Sequence, residues 1–390
     1  MADKLILVRY EEIFLKRSNR NVFENRLIKN IRQRLENMGE VHVTCSQSRI
    51  YVESPDDDFD LAEAVERLKK VFGIASMSIV HRVPTDFEII KASAVGIVAD
   101  LLSRYNYKTF KVETKRADKS FPLSSPQVSA EVGAHILRNF PRLKVDVHNP
   151  DFVFYVEIRE STYLYSEIIP AAKGLPTGTA GRATLLLSGG IDSPVAGWMI
   201  AKRGAELDAV YFHSPPYTSE RAKEKVVRLS EILSEWTMGI RLYVVPFTEI
   251  QMAIHQKCPE EYLTIIMRRY MMKIAERIAH NNGALALVTG EAIGQVASQT
   301  MESLLVTNSA VTLPVYRPLI GMDKNEVVNI ARHIGTYETS ILPYEDCCTL
   351  FVARHPTTRP SLEKTLEYES VLDEEQMIAK ALDQVETIII

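Results

Sequence analysis

Cysteine is scarce in this sequence: four in 390 residues (Cys45, Cys258, Cys347 and Cys348), with no C-x-x-C pair. So few thiols in so long a chain exclude a disulfide framework, and the missing pair argues against a zinc ribbon or an iron–sulfur site. No residues suggest themselves as ligands of a resident metal. Long apolar runs are lacking too. No stretch approaches the roughly 20 apolar residues that span a bilayer, and Met1 to Tyr10 holds too short an apolar run for a secretory signal. A protein of the cytoplasm with no membrane partner is expected. There is no internal repeat and no low-complexity tract. Excess charge of one sign is also missing at first sight, since the net charge is only −4. That figure hides an uneven spread. Leu101 to Val145 holds nine Lys/Arg against three acids, whereas Ser361 to Ile390 holds eight acids against two lysines. A basic patch of this kind meets phosphates whatever the global balance.

What is present is ordinary for a globular protein: 46% hydrophobic and 25% charged residues. A chain of this length suggests two or three domains. Residues 1–60 read as a small α/β unit, with a strand over Leu5 to Arg9, a helix over Arg20 to Met38, and strands near Val41 to Cys45 and Ser48 to Val52. A second α/β unit starts near Asp60. Its periodicity predicts helices over Leu61 to Val71, Phe87 to Arg104 and Ser125 to Asn139, and strands near Ala75 to Val80, Thr109 to Thr114, Lys144 to Val147 and Val153 to Ile158. Residues 170–181 have linker composition. Beyond them, strands at 183–187, 207–212, 241–246 and 284–289 alternate with helical patterns such as Arg221 to Trp236. That alternation predicts a doubly wound parallel sheet with its ligand at the carboxyl ends of the strands.

One such end carries the most informative string, Ser188-Gly189-Gly190-Ile191-Asp192-Ser193-Pro194, between the strand over Ala183 to Leu187 and a helix read over Val195 to Lys202. Glycines allow close backbone approach, and free N–H groups at a helix start favour an anion. Ser188 and Ser193 add hydroxyl donors. Asp192 does not suit plain anion binding, because a carboxylate beside phosphates needs a cation between them, and this points to chemistry rather than nucleotide storage. The string is neither a Walker loop nor G-x-G-x-x-G.

Four further strings surround it. Val210-Tyr211-Phe212-His213 ends the neighbouring strand, so Tyr211 and Phe212 can pack near an adenine, while His213 serves either as a base or as a structural group. Thr289 to Thr300 ends a third strand with Gly290, Gly294 and polar amides such as Gln299. On a long helix, Arg268 or Arg269 could reach the site as a fixed cation. Asp323 is a plausible N-cap. Lys324, next to it, runs against the helix dipole, which suggests a phosphate contact. Lastly, the adjacent Cys347 and Cys348 follow Glu345-Asp346. One of them can be a sulfur carrier or nucleophile, although tandem acids raise a thiol pKa.

The first string resembles the PP-loop of the ATP pyrophosphatases. Taken with FHSPPYTSERAK (212–223), TGEAIGQVASQT (289–300), RPLIGMDK (317–324), PYEDCCT (343–349), TKRADKSFP (114–122) and VDVHNPD (145–151), the chain resembles the tRNA 4-thiouridine synthetases along nearly its whole length. The resemblance implies a ferredoxin-like domain over 1–60, a THUMP RNA-binding domain over 61–168, a linker over 169–182, and a PP-loop, AMP-forming domain over 183–390. It implies ATP contacts at Leu186, Leu187, Tyr211, Phe212, Arg268, Gly290 and Gln299, beside the phosphate-loop residues Ser188, Gly189, Gly190 and Ser193. Asp192 and Lys324 match residues needed for adenylation. Cys347, with Cys348 as alternative, matches the catalytic cysteine. Lys115, Arg116 and Lys119 centre the basic tRNA-binding region.

The implied reaction uses ATP and Mg²⁺ to adenylate O4 of a tRNA uridine, position eight in the family, before a cysteine persulfide delivers sulfur. A cysteine desulfurase is the implied donor, and a homodimer is possible. Glu11 and Arg17 depart from glycines usual in the family. A chain ending at Ile390 leaves no room for the rhodanese domain of some members, so direct sulfur delivery is expected and a role in thiamine thiazole synthesis is not carried over. The rivals are another PP-loop tRNA-modifying enzyme, such as a 2-thiouridylase, and a non-catalytic RNA-binding protein. The absent C-x-x-C weighs against the first, and the intact Asp192, Lys324 and cysteine pair against the second.

Overall fold

The structure, a computed structural model, describes residues 3–344 and 355–390 and divides into two units at Lys173 and Gly174. The first unit contains β1 (Asp3–Arg9), α1 (Arg20–Leu35), β2 (His42–Ser46), β3 (Arg49–Glu53), α2 (Leu61–Leu68), β4 (Ser76–Val83) and α3 (Phe87–Arg104). It continues with β5 (Thr109–Arg116), α4 (Ser125–Asn139), β6 (Lys144–Val145), β7 (Phe152–Ile158), β8 (Thr162–Tyr165) and β9 (Ile169–Pro170). One sheet runs through it in the order β2-β3-β1-β4-β8-β7-β5-β6, with β9 also on β4. It is antiparallel as far as β7, then parallel across β5 and β6.

Two large apolar cores lie against this sheet, besides a smaller cluster of Leu5, Leu7, Tyr51, Val80, Tyr163 and Tyr165. One joins Leu27, Ile31 and Leu35 of α1 to Ala64 and Leu68 of α2 and Met77 of β4. The sequence division at residue 60 therefore falls inside a core: α2 and β4 pack with α1 and the first three strands around one apolar cluster. The other core brings Ile90 and Val98 of α3 and Val132 and Ile136 of α4 onto Phe110 and Phe154. The helix starts follow local chemistry. Asp60 and Asp86 accept two backbone N–H bonds each at the starts of α2 and α3, and Ser124 with Gln127 closes a capping box on α4.

In the second unit, β10 (Arg182–Leu186), α5 (Asp192–Ala201), β11 (Glu206–His213), α6 (Glu220–Thr237), β12 (Arg241–Pro246), α7 (Thr248–Lys257), α8 (Leu263–Asn281) and β13 (Leu287–Val288) alternate as expected. There follow α9 (Met301–Asn308), β14 (Val315–Tyr316), α10 (Lys324–Ile334), α11 (Tyr337–Ser340), α12 (Leu362–Glu369), α13 (Glu374–Asp383) and β15 (Glu386–Ile389). The sheet order is β14-β13-β10-β11-β12-β15, parallel except for the antiparallel β15. The chain winds from β10 towards β12 and then returns to place β13 on the other side of β10. The switch point lies between β10 and β13, where doubly wound sheets open a ligand crevice.

Part of the expected linker is ordered by packing. The N–H groups of Gly178, Thr179 and Ala180 all converge on the carbonyl of Gly204, and Leu175 and Thr177 are buried. Gly204 has φ +94°, and a Cβ there would stand 2.4 Å from Thr179 Oγ1, so this turn requires glycine. Helix α8 is apolar on most of its circumference, and Ile266, Tyr270 and Ile274 are fully buried. Each such side chain contributes roughly 1.5–3 kcal/mol of burial, which makes α8 a firm platform for Arg268.

Candidate functional site

Helix α5 begins at Asp192, three residues before the apolar pattern suggested. Pro194 reads as a turn residue in sequence, but in the first helical turn its missing N–H costs nothing. The phosphate-type loop therefore spans Ser188 to Ile191 between β10 and α5. Its own hydroxyls hold its shape. Ser193 Oγ accepts the Ser188 N–H at 2.9 Å and lies 3.1 Å from Ser188 Oγ, which accepts the Gly190 N–H at 3.3 Å. Ser340 Oγ, at the end of α11, donates to the Gly190 carbonyl at 3.3 Å.

Across the switch point, the turn after β13 comes into direct contact with this loop. A Cβ on Gly290 would stand 2.6 Å from the Ser193 nitrogen and 2.7 Å from the Asp192 carbonyl carbon. Gly290 is thus fixed by the close approach of two backbones. A cavity of about 280 Å³ opens there, lined by Leu186, Leu187, Ser188, Asp192, Ser193, Tyr211, Phe212, Arg268, Gly290 and Gln299 among others. Most of the residues that the sequence pointed to as nucleotide contacts are brought together in one place.

The carboxylate that did not suit anion binding has its cation. Lys324 Nζ donates to Asp192 Oδ1 at 2.6 Å, and Gln295 Nε2 donates to Oδ2 at 2.9 Å. Asp323 caps α10 through the N–H groups of Asn325 and Glu326, in a capping box with Glu326. That cap sets Lys324 at the helix start against its dipole, and Asp192 compensates the charge. With the lysine about half exposed, the pair adds little to stability. Its use is electrostatic, as a cation beside the phosphate loop.

Of the two candidate arginines, Arg268 faces the cavity and Arg269 does not. Arg269 is 2% exposed and is bound by Glu369, the Val306 carbonyl and Ser309. Arg268 donates to Ser298 Oγ at 2.9 Å and is paired with Glu291. Glu291 is itself buried, receives Arg317 Nε at 2.7 Å and accepts the Thr289 hydroxyl at 2.8 Å. Burial alone would raise the Glu291 pKa, but Arg268 and Arg317 outweigh it and hold the carboxyl below its ordinary value. Gln295, Glu291 and Arg317 escaped the sequence reading. The string TGEAIGQ signalled a turn, but an acid beside the glycine carried no sign that it would clamp two arginines.

His213 ends β11 beside Tyr211. It is buried, its Nε2 has no hydrogen-bond partner, and burial lowers its pKa. These are the properties of a neutral structural group. The described thiols are poor nucleophiles: burial pushes Cys258 up to about 11 and also raises Cys45. Cys347 and Cys348 lie outside the described residues. Among the described residues, no cluster of three or more His, Cys, Asp or Glu could hold a metal, and no helix is long and apolar enough to cross a membrane.

In the first unit the three chosen basic residues differ. Lys115 and Lys119 are exposed, whereas Arg116 spends Nη1 on the carbonyls of Phe121 (2.5 Å) and Leu123 (2.7 Å), holding the loop before α4. Arg116 therefore has a structural use that the sequence did not reveal. A separate depression of about 830 Å³ between the end of α3 and the end of α4 gathers Arg104, Lys108 and Arg142 around Tyr105, Asn106 and Tyr107. Tyr105 stacks on Tyr107, and Tyr107 on Phe152. Cations interleaved with stacked aromatics are the chemistry of single-stranded nucleic acid contacts.

The switch-point crevice with its phosphate loop defines a PP-loop nucleotide-binding domain, joined to a ferredoxin-like domain and a THUMP domain. The chain belongs to the ThiI family. The family model Thiamine biosynthesis protein (ThiI) matches residues 178–373, the ThiI ferredoxin-like domain matches 5–78, and the THUMP domain matches 84–167. The chain is 61% identical over 387 residues to the probable tRNA sulfurtransferase of Acetivibrio thermocellus, covering 99% of both chains. It is 58% identical over 374 residues to that of Caldanaerobacter subterraneus subsp. tengcongensis, covering 96% of this chain and 97% of the relative. A crystal structure of a 4-thiouridine synthetase–RNA complex with bound ATP superposes with a TM-score of 0.92 at 42% identity, covering 99% of each chain.

Proposed function

We propose that this protein is an ATP-dependent tRNA sulfurtransferase that converts a tRNA uridine, at position eight, to 4-thiouridine. The observation that supports this most is the crevice itself: a phosphate loop, the Arg268 cation and the Lys324–Asp192 pair converge at one switch point. The two relatives are named probable tRNA sulfurtransferases, and the 42% identical solved structure is a 4-thiouridine synthetase in complex with RNA and ATP, which supports the reading.

In this reading the adenine lies near Leu186, Leu187, Tyr211 and Phe212, and the phosphates lie over the loop Ser188 to Ser193 at the start of α5. The uridine O4 attacks the α-phosphorus, a P–O bond forms to the base, and pyrophosphate leaves. Arg268 and Lys324 neutralise the charge that develops there, and their positions are set in advance by Glu291 and Asp192, so little reorganisation accompanies the reaction. Mg²⁺ would be held between the nucleotide's phosphates and Asp192, where it would neutralise phosphate charge. Such an ion needs only one or two carboxylates besides phosphate oxygens, and Asp192 is the carboxylate beside the loop. A persulfide on Cys347 or Cys348, loaded by a cysteine desulfurase, then attacks C4 through its outer sulfur and displaces AMP. An external thiol such as free cysteine cleaves the S–S bond that joins C4 to the enzyme, which frees the thiocarbonyl sulfur and leaves a mixed disulfide for a further thiol to reduce. The tRNA is held by the first unit through Lys115, Lys119 and the Tyr105–Tyr107 depression, and the enzyme works in the cytoplasm.

The test is direct. The purified protein is incubated with unmodified tRNA, ATP, Mg²⁺, a cysteine desulfurase and cysteine, and the tRNA is digested to nucleosides for mass analysis. 4-Thiouridine and stoichiometric pyrophosphate are expected, with Lys324→Ala and Asp192→Ala each losing at least about a hundredfold in rate. A 2-thiouridine product, or none, would sink the reading.

A further inference from the structure

A second cavity, of about 380 Å³, opens on the far side of Arg268. One wall is the α8 face carrying Thr264, Ile265 and Arg268, and the facing wall is the turn Val296 to Gln299, with Pro356 and Thr357 at the edge. This cavity and the nucleotide crevice share two residues, Arg268 and Gln299. The Arg268 guanidinium is the partition: one arm reaches Ser298 on the new side, and the other reaches Glu291 on the crevice side.

We infer that this cavity receives the uracil base of the RNA substrate, turned out of its stack, with O4 directed past Arg268 at the α-phosphate. The inference rests on the adenylation reading and names where its second substrate sits. Three observations carry it. First, phosphoryl transfer needs nucleophile and phosphorus within about 3–3.5 Å, so the base must enter beside the nucleotide, and this cavity adjoins the crevice along Arg268 and Gln299. Second, the lining suits a flat neutral ring with polar edges. Val296, Ala297 and Ile265 offer apolar surface for its faces, while the Thr264 and Ser298 hydroxyls can each donate or accept at its rim. Glu261 at the border disfavours a second anion, which argues for a base rather than another phosphate. Third, the volume falls in the range of about 300–1,000 Å³ typical of small-ligand sites. It accommodates one nucleoside and no duplex, so the base must leave its helix, as in other enzymes that act on a base.

The experiment fills the cavity without touching the crevice. Thr264→Phe, and separately Ala297→Leu, are compared with the wild-type protein in three measurements: equilibrium ATP binding, tRNA binding, and tRNA-dependent pyrophosphate release with 4-thiouridine formation. Both variants are expected to keep ATP and tRNA affinities within about twofold and to lose at least about tenfold in the tRNA-dependent rate. A variant that folds and turns over at the wild-type rate overturns the inference. So does one whose ATP affinity falls in step with its rate, since the cavity would then belong to the nucleotide. Two changes on opposite walls guard against one failing to fold. If the wild-type protein itself forms no 4-thiouridine, the adenylation reading fails and takes the inference with it; an active wild type with equally active variants removes the inference alone.

Discussion

Glu291 shows what a single residue does here that its sequence context conceals. It is 4% exposed, and its two oxygens serve Arg268 and Arg317, so one carboxylate fixes the cation that faces the crevice. Replacing it with glutamine keeps the shape and removes the charge, leaving two arginines short of a partner in a buried place. We expect Glu291→Gln to cost about 3 kcal/mol of stability and to weaken ATP binding by about tenfold, read from urea midpoints and nucleotide titration. The pH dependence has a definite sign. The folded carboxyl titrates below its ordinary value because the two arginines outweigh burial. Its contribution is therefore complete above the unfolded glutamate pKa of about 4.3 and is lost as pH falls through the lower folded value. Between pH 5 and 3 the wild type should lose more stability than the glutamine variant; parallel curves would refute the clamp. The sequence made Asp192, Lys324 and Arg268 legible because each was out of place for its setting or lay in a motif. It could not disclose Glu291 or Gln295, whose roles depend on contacts 23 and 103 residues away.

At the scale of elements, hydrophobic periodicity located α3 and α4 at their observed limits, and β12 as well, because each buries a continuous stripe or run. It missed β14 and β15 and placed the start of α5 late. The first two are short and closed by partners far along the chain, and the third starts with residues that resemble a turn. The strand β15 matters most, since it covers an edge. It pairs antiparallel with β12, Ile390 exchanges both backbone bonds with Ile240, and Glu386 binds Lys223 of α6 at 2.7 Å. Without it, the backbone of β12 would present unpaired N–H and C=O groups beside Leu242 and Val244, a template for association. Deleting residues 385–390 should lower the melting temperature by several degrees, about 4 °C or less per kcal/mol at this size, and promote concentration-dependent association in light scattering. A deletion variant with the stability and the light scattering of the wild type would show that α13 alone protects the edge.

For the whole molecule, charge divides along the same line as the fold. Residues 1–173 carry 26 Lys/Arg against 24 acids, and residues 174–390 carry 20 against 26. The slight positive excess of the first unit understates its local field, because the cations collect between Leu101 and Val145 while acids lie elsewhere. An acidic catalytic unit is poorly suited to hold a polyanion, so affinity for RNA should reside in the first unit and chemistry in the second. The THUMP-type half was legible as basic from composition, but its aromatic depression was not, since Tyr105 and Arg142 meet only through the packing of α3 beside α4. If Lys108 and Arg142 contact phosphates there, each removal should shrink the slope of log binding constant against log salt by about 0.7–0.9. The Lys108→Ala/Arg142→Ala double variant should then raise KM for tRNA several-fold and leave kcat and ATP binding unchanged, because uniform binding is lost and nothing in the transition state is touched. Equilibrium binding at several salt concentrations, paired with thiolation kinetics, measures both quantities. A fall in kcat with KM unchanged would mean that the depression positions the reacting nucleotide instead of holding the RNA, and the division of labour between the two units would have to be redrawn.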